Sequence, residues 1–176
     1  MSIAAVRIIG IDPGSRHTGY GVIESERGRA RMIAAGRIST ASGTVPQRLL
    51  QIQRELAALL HEFTPAEAAI EEVFVNRNVQ TALVLGQARG VALCALAQSG
   101  LDVAEYAPTQ VKLALTGSGR AEKLQVQHMV KVLLNLQGAM AVDASDALAI
   151  ALTHAQVRGM KARTDALAGG KRWGRA

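Results

Sequence analysis

Cysteine is almost absent from this 176-residue sequence, because Cys94 is the only one. A single cysteine excludes an internal disulfide and any zinc site that is built on several thiolates. Cys94 falls in an apolar segment, so we expect it to be a buried structural thiol. A metal site in this chain would therefore have to use ligands other than sulfur.

The sequence also lacks a long, uninterrupted apolar run. The longest apolar stretch, residues 82–97, contains Gln87 and Arg89, and we expect it to be too short to span a bilayer. The first residues have no basic segment followed by an apolar run and a small-residue cleavage site. We therefore expect a cytoplasmic protein with no membrane partner.

Negative charge is scarce near the carboxyl end. Residues 156–176 contain six of the 20 Lys and Arg residues but only one acidic residue, and they account for most of the net charge of +6. The length and apolar content fit one domain, which we assign to residues 1–158, followed by a basic, disordered tail over 159–176. Such a tail is either a solvated end or a non-specific nucleic-acid contact.

The sequence does contain alternating strand and helix patterns. Apolar, β-branched runs predict strands over 5–12, 20–25, 31–39, 68–73 and 101–107. Helical spacing and capping residues predict helices from Thr44 to about Thr64 and over 79–99, 108–115, 121–136 and 143–158. This order predicts an α/β domain with a five-stranded mixed sheet, whose first three strands are antiparallel, flanked by helices. The 79–99 helix is apolar on nearly every face, so we expect it to lie in the core or under another subunit.

Four acidic residues lie where a core would not require them. Asp12 ends the first strand, Glu71 lies in a short apolar strand, and Asp143 and Asp146 are three residues apart on one face of a helix. Ligand sites in open α/β sheets collect outside the carboxyl ends of strands. The Pro-Gly turn after Asp12 would hold its carboxylate at that edge, and the later glycines would let a phosphate or a metal approach.

Each acid also has an ordinary explanation. Asp12 before Pro-Gly is a common turn pattern. Glu71 fits the outward position of a half-exposed strand with Glu72 inward, or the reverse. Asp143 fits a helix N-cap and Asp146 the third helical position. Taken singly, none of the four is diagnostic.

Convergence of the four acids would need bound cations. Two carboxylates about 5 Å apart repel by roughly 3 kcal/mol at an effective dielectric constant of about 20. Ligation by carboxylates alone suits Mg²⁺, with Mn²⁺ as a substitute. Two such ions can bind both the attacking water and the leaving oxygen of a phosphodiester.

Four blocks that contain these acids resemble the RuvC family of bacterial Holliday junction resolvases, which are ribonuclease H-like nucleases. The blocks are GIDPGSRHTGYGVI (10–23), AIEEVFVNRNVQTALVLGQARGV (69–91), APTQVKLALTGSGRAEKLQV (107–126) and DASDALAIALTH (143–154). The resemblance implies a ribonuclease H-like fold in which Asp12, Glu71, Asp143 and Asp146 are the catalytic, metal-binding acids, with two Mg²⁺ ions in each site.

The resemblance also implies a reaction and partners. The family reaction is Mg²⁺-dependent nicking of two opposed strands of a four-way DNA junction, which leaves 5′-phosphate and 3′-hydroxyl ends that a ligase can seal. A homodimer would present two identical sites to a junction with near two-fold symmetry. The apolar 79–99 helix is the candidate dimer contact, with burial in one subunit as the alternative. The branch-migration proteins RuvA and RuvB are the expected partners.

Several residues in the matching blocks are candidates for DNA contact. Phe74 matches a family aromatic near the junction crossover, where it could stack on bases or wedge between them. Basic residues of the same blocks could bind phosphates, and a solvated surface is the alternative for each of Arg77, Arg89, Lys112, Arg120 and Lys123. Lys112 and Lys123 match functionally important family lysines. His154 lies too far along its helix to join the acid pair, so we interpret it as a structural or supporting group.

Three competing functions remain open at this point. The Asp-Gly hairpin also resembles the phosphate-binding hairpin of actin-like ATPases, but those enzymes pair two such domains. A shorter ribonuclease H-like group related to YqgF, which acts on RNA, shares the hairpin, although we do not expect the VFVNRN segment in it. A catalytically silent junction-binding protein would have little need for all four acids.

Overall fold

The computed structural model describes residues 5–40, 42–73 and 79–169. These residues form a five-stranded sheet in the order β3-β2-β1-β4-β5. The strands are β1 (Val6–Asp12), β2 (His17–Glu26), β3 (Arg29–Ser39), β4 (Glu67–Glu71) and β5 (Val103–Tyr106). The first three are antiparallel, and β4 and β5 continue the sheet parallel to β1. The predicted mixed sheet is confirmed.

Helices cover both faces of the sheet. They are α1 (Val45–Phe63), α2 (Val79–Gln98), α3 (Pro108–Thr116), α4 (Lys123–Leu134) and α5 (Val142–Gly169). Alternate residues of β1 point to different cores, because Ile8 packs with residues of α3, α4 and α5, whereas Ile9 and Ile11 pack with residues of α1 and α2. The sheet is therefore the middle layer of three.

The last helix differs from its prediction at both ends. It begins at Val142, so Asp143 lies inside the first turn and is not the N-cap. It continues to Gly169, so the predicted end at Arg158 is wrong and residues 159–169, expected to be disordered, are helical. This segment is rich in Ala, Lys, Arg and Met, which favour a helix even without packing. Residues 170–176 lie outside the described residues, and their disorder stays a prediction.

The α2 helix is only partly buried. Its buried residues, Ala88, Ala92, Ala95 and Leu96, follow helical spacing and join the core with α1. Val79 and Leu83 are 66% and 59% exposed. Cys94 is exposed too, so its expected burial is wrong, because it lies on the face of α2 away from this core.

The length of α2 also corrects an expectation. The helix has 20 residues and is long and apolar enough to cross a membrane by length and composition alone. The helix is thus longer at both ends than the 82–97 stretch that we expected to be too short for a bilayer. Its packing against α1 gives it a place in the domain core, and its exposed apolar face needs a separate explanation.

Candidate active site

Asp12 and Glu71 lie side by side at the carboxyl ends of two neighbouring strands. Each is the last residue of its strand, and β1 pairs in parallel with β4 up to the pair Ile11 and Ile70. Asp12 and Glu71 follow next on each strand, so their side chains project from the same face of the sheet. The predicted convergence of these two acids thus follows from strand register.

Three glycines bring α5 onto this end of the sheet. A Cβ atom at Gly10 would overlap the carbonyl oxygen of Ala147 and lie 2.7 Å from the amide nitrogen of Ala151. One at Gly19 would overlap the Asp143 carbonyl, and one at Gly21 would lie 2.8 Å from the amide nitrogen of Leu148. Gly19 and Gly21 therefore make room for α5 and not, as we expected from the sequence, for a phosphate or a metal.

This close packing brings the two acids of α5 to the strand ends, where each meets a basic side chain. Lys123 Nζ lies 2.6 Å from Asp146 Oδ2. Arg37 Nη1 lies 3.7 Å from Asp143 Oδ2. Lys123 begins α4 and Arg37 belongs to β3, so the two basic residues come from different parts of the fold.

The electrostatics of Asp12 depend on all three other acids. Burial, together with the negative charges of Glu71, Asp146 and Asp143, raises the pKa of Asp12 to about 8, and Lys123 opposes this rise. Burial and the charge of Asp146 also raise the pKa of Glu71, while a hydrogen bond from the protonated Asp12 carboxyl opposes that shift. The four predicted acids therefore form one electrostatic cluster.

A cavity of about 300 Å³ opens beside this cluster. Its polar lining consists of Asp12, Glu71, Asp146, Lys112 and Lys123. Apolar residues of α3, α4 and α5 form the rest of the wall, among them Val111, Val126 and Ile150. Both predicted phosphate-binding lysines thus face the same space as three of the acids.

The acids are not arranged as a formed metal site. Within residues 5–40, 42–73 and 79–169, no group of three His, Cys, Asp or Glu side chains is arranged to hold a metal ion. Asp146 is paired with Lys123 and Asp143 with Arg37. The donor set nonetheless fits Mg²⁺ or Mn²⁺ in its chemistry, because its four acids offer only carboxylate oxygens.

The remaining predicted contacts divide into three groups. Phe74 and Arg77 lie outside the described residues. Arg120 is exposed between α3 and α4. Arg89 is engaged within the fold, since its guanidinium donates to the Glu71 carbonyl oxygen over 3.1 Å and pairs with Glu105. Arg89 therefore supports the strand that carries Glu71, and it is a weaker candidate for a phosphate contact than Lys112 or Lys123.

His154 lies away from the acids in a polar network. Its Nδ1 atom is 2.8 Å from the Tyr106 hydroxyl, and its Nε2 atom is 2.9 Å from Glu67 Oε2. Arg158 donates to the other oxygen of Glu67 over 2.7 Å. The network ties α5 to β4 and β5, which agrees with the structural role expected for His154.

Sequence reasoning missed Arg37. It lies in β3 opposite Gly19 of β2, and Gly19 is in turn opposite Asp12 of β1. The registers of two hairpins, over residues 6–26 and 17–39, would have been the signal, because together they align Arg37 with Asp12 across Gly19.

The chain is similar to known proteins over most of its length. The family model for the crossover junction endodeoxyribonuclease RuvC matches residues 8–154. The chain is 51% identical to RuvC of Dichelobacter nodosus over 153 residues, 87% of each protein. It is 51% identical to RuvC of Alkalilimnicola ehrlichii over 157 residues, 89% of this chain and 95% of the relative.

A solved structure agrees with these matches. T. thermophilus RuvC in complex with a Holliday junction substrate superposes with a TM-score of 0.84 at 36% identity, covering 89% of this chain and 96% of that one. Asp12, Glu71, Asp143 and Asp146 all lie within the matched residues. This chain therefore belongs to the RuvC family of crossover junction endodeoxyribonucleases.

Proposed function

We propose that this chain resolves four-way DNA junctions by hydrolysing one phosphodiester bond in each of two opposed strands. The products would be ligatable ends with 5′-phosphate and 3′-hydroxyl groups. The observation that carries the proposal is the electrostatic cluster of Asp12 with Glu71, Asp143 and Asp146 in a chain of the RuvC family. Such a cluster at the carboxyl ends of strands suits the binding of cations and a phosphate.

The four acids would hold two Mg²⁺ ions, with Mn²⁺ as a substitute. When bound, the ions would polarise the phosphate, activate water and stabilise the leaving oxygen. Asp12 would give up its proton on binding, because a carboxylate must be deprotonated to serve as a ligand. Asp143 and Asp146 would turn from Arg37 and Lys123 to complete the site.

Lys112 and Lys123 would bind the DNA strand next to the acids. Both line the cavity that Asp12, Glu71 and Asp146 share. The Lys123 side chain is 59% exposed, so its ammonium group can leave Asp146 for a phosphate at the protein surface. Its charge would then offset that of the phosphodiester beside the acids. Arg120, exposed in the turn before α4, would contact a phosphate farther along the strand.

The DNA contacts of Phe74 and Arg77 remain part of the proposal. Both residues follow β4 closely in sequence, and Glu71 is the last residue of that strand. An aromatic side chain three residues beyond a catalytic acid could stack on a base at the junction crossover. Arg77 would bind a phosphate nearby.

The exposed face of α2 supports a homodimer. Val79 and Leu83 lie on the side of the helix opposite Ala88, Ala92 and Ala95, and they are more than half exposed. A second copy of the chain would cover this apolar face and would place a second acid cluster on the same DNA junction. The two-fold symmetry of such a dimer matches nicking of two opposed strands.

The biological setting follows from the proposed reaction. A resolvase acts on branched DNA that arises in recombination and repair, which would place this chain in the bacterial cytoplasm. RuvA and RuvB, which move branch points, would be its partners on the junction. The YqgF-like alternative is not favoured, because the RuvC model matches continuously over residues 8–154.

A cleavage assay on defined substrates tests the proposal. With Mg²⁺, the purified chain should nick a synthetic four-way junction symmetrically in two opposed strands, and the products should be sealed by a ligase. A linear DNA duplex and a structured RNA of the same sequence are the controls. Equal cleavage of the linear duplex would refute junction selectivity, and preferred cleavage of the RNA would favour the YqgF-like function.

A further inference from the structure

A row of residues crosses four strands at the end of the sheet that carries the acids. Arg37 of β3 pairs with Gly19 of β2, and Gly19 pairs with Asp12 of β1, which is followed by Glu71 of β4. Directly paired residues project from the same face of a sheet. That face is the one on which α5 packs, because a Cβ atom at Gly19 would overlap the Asp143 carbonyl. Arg37 is therefore part of the surface around the acids.

Arg37 lies on the other side of Asp12 from the two lysines. The cavity that contains Lys112 and Lys123 is built on β1 and β4 and on helices α3 to α5. Arg37 is two strands from β1 in the opposite direction, at the edge of the sheet. Two strand spacings amount to about 10 Å, the rise of roughly three base pairs along a duplex axis at about 3.4 Å each. The acids thus lie between two positively charged regions.

The contact between Arg37 and Asp143 is loose. The 3.7 Å separation makes it an ion pair that is longer than a hydrogen bond, and the Arg37 side chain is 50% exposed. A guanidinium has five N–H donors, so this contact leaves most of its donors available. Exposed ion pairs of this kind are weak, and a phosphate is a strong competitor for a guanidinium.

We propose that Arg37 binds a phosphate of the DNA strand on the β3 side of the scissile bond, opposite the lysines. In the free protein Asp143 holds its guanidinium close to the site. This inference rests on the proposed function, because it requires DNA to lie across the acids. With Arg37 on one side and Lys112 and Lys123 on the other, the strand is held on both sides of the bond to be cut.

Junction binding at several salt concentrations tests the role of Arg37. The measurement uses the full chain with Asp12→Asn, which prevents cleavage, a synthetic four-way junction and Mg²⁺. Arg37→Gln should weaken binding about threefold to tenfold and lower the slope of log K against log salt by about 0.9, the value for one phosphate contact. Arg37→Lys should keep that slope, because it keeps the charge.

Arg29→Gln is the matched control. Arg29 is exposed at the first position of the same strand, at the end of β3 away from the acids, so the variant removes the same charge far from them. If Arg37→Gln and Arg29→Gln have the same affinity and the same salt slope, the inference is wrong. If the unaltered chain cuts the junction in that case, only this inference fails. If the unaltered chain neither binds nor cuts the junction, the proposed function fails with it.

Discussion

The helices α2 and α5 are both long, but the fold uses them differently. The more apolar of the two is α2, yet its buried residues are confined to Ala88, Ala92, Ala95 and Leu96. In α5 an almost continuous segment is buried, from Ala144 to Thr153 with Asp146 as the exception. The difference lies in the partner surface, because α5 packs on strands whose glycines admit its backbone.

The comparison teaches that apolar composition does not decide how deeply a helix is buried. Three glycines in β1 and β2 allow α5 to lie directly on the sheet, and this contact carries Asp143 and Asp146 to the site. The α2 helix packs on α1 through one stripe and leaves another apolar stripe uncovered. We expect the contact of α5 with the sheet to be essential for folding. We expect the uncovered apolar stripe of α2 to serve assembly.

The largest expected effect comes from filling the space between β1 and α5. Gly10→Val would place atoms against the backbone of Ala147 and Ala151, which cannot rotate away. We expect a loss of at least about 3 kcal/mol in the free energy of unfolding, at the upper end of overpacking effects. Urea denaturation followed by circular dichroism measures this loss.

Gly159→Ala, a substitution in α5 away from the sheet, is the control for Gly10→Val. No atom of the described structure lies within 4 Å of a Cβ at Gly159, so this variant should gain about 0.5 to 1 kcal/mol from helix propensity. If Gly10→Val were as stable as the unaltered chain, the close contact of α5 with the sheet would be disproved.

A smaller effect, on assembly and not on folding, is expected at α2. Leu83→Lys places a charge on the exposed apolar face, so the homodimer should dissociate into folded monomers. Light scattering coupled to size-exclusion chromatography gives the mass, and circular dichroism confirms the fold. Val132→Lys changes a residue of similar exposure on α4, 56% against 59%, and should leave the dimer intact. A dimeric Leu83→Lys variant would exclude this face as the interface.

A further effect concerns the pH dependence of stability and the negative charge that α5 brings to Asp12. In the protein without metal, the pKa of Asp12 is about 8, above the value of 3.8 that applies when it is unfolded. The folded state then holds more protons than the unfolded state between these values. The contribution of Asp12 to stability is therefore complete below about pH 4 and is lost as the pH rises toward 8.

Thermal unfolding in EDTA from pH 5 to 8 measures this dependence. The unaltered chain should lose stability over this range relative to Asp12→Asn, which has no carboxylate to ionise. Millimolar Mg²⁺ at pH 8 should restore stability to the unaltered chain, because an ion that binds only the folded state stabilises it. Parallel curves for the two proteins would show that Asp12 titrates normally.

Much of the fold could be predicted from local patterns. The apolar run of β1, the spacing of Leu49, Ile52, Leu56 and Leu60 in α1, and the hairpin at Arg27 and Gly28 depend on residues close in sequence. The end of α5 could not be predicted this way, since residues 159–169 extend the helix without an apolar stripe. The exposure of Cys94 depends on which face of α2 meets α1, which an evenly apolar helix does not reveal.

The acid cluster could be assembled from sequence only with the help of a family resemblance. Spacing relates Asp143 to Asp146, but nothing local relates either of them to Asp12 or Glu71, which lie in two different strands. Their meeting depends on the parallel pairing of β1 with β4 and on α5 crossing Gly10 and Gly19. Arg37 was missed for the same reason, because its relation to Asp12 runs through two antiparallel pairings.

The central claim is that Asp12 and its three neighbouring acids form the catalytic site of a junction nuclease. Cleavage and binding of a synthetic four-way junction by Asp12→Asn, measured beside the unaltered chain in Mg²⁺, test it most directly. We expect the variant to lose cleavage by at least about a thousandfold, the scale of a missing transition-state contact, and to bind the junction with unchanged or higher affinity. A variant that still nicks two opposed strands at a normal rate, or that loses binding while it retains cleavage, would contradict the assignment.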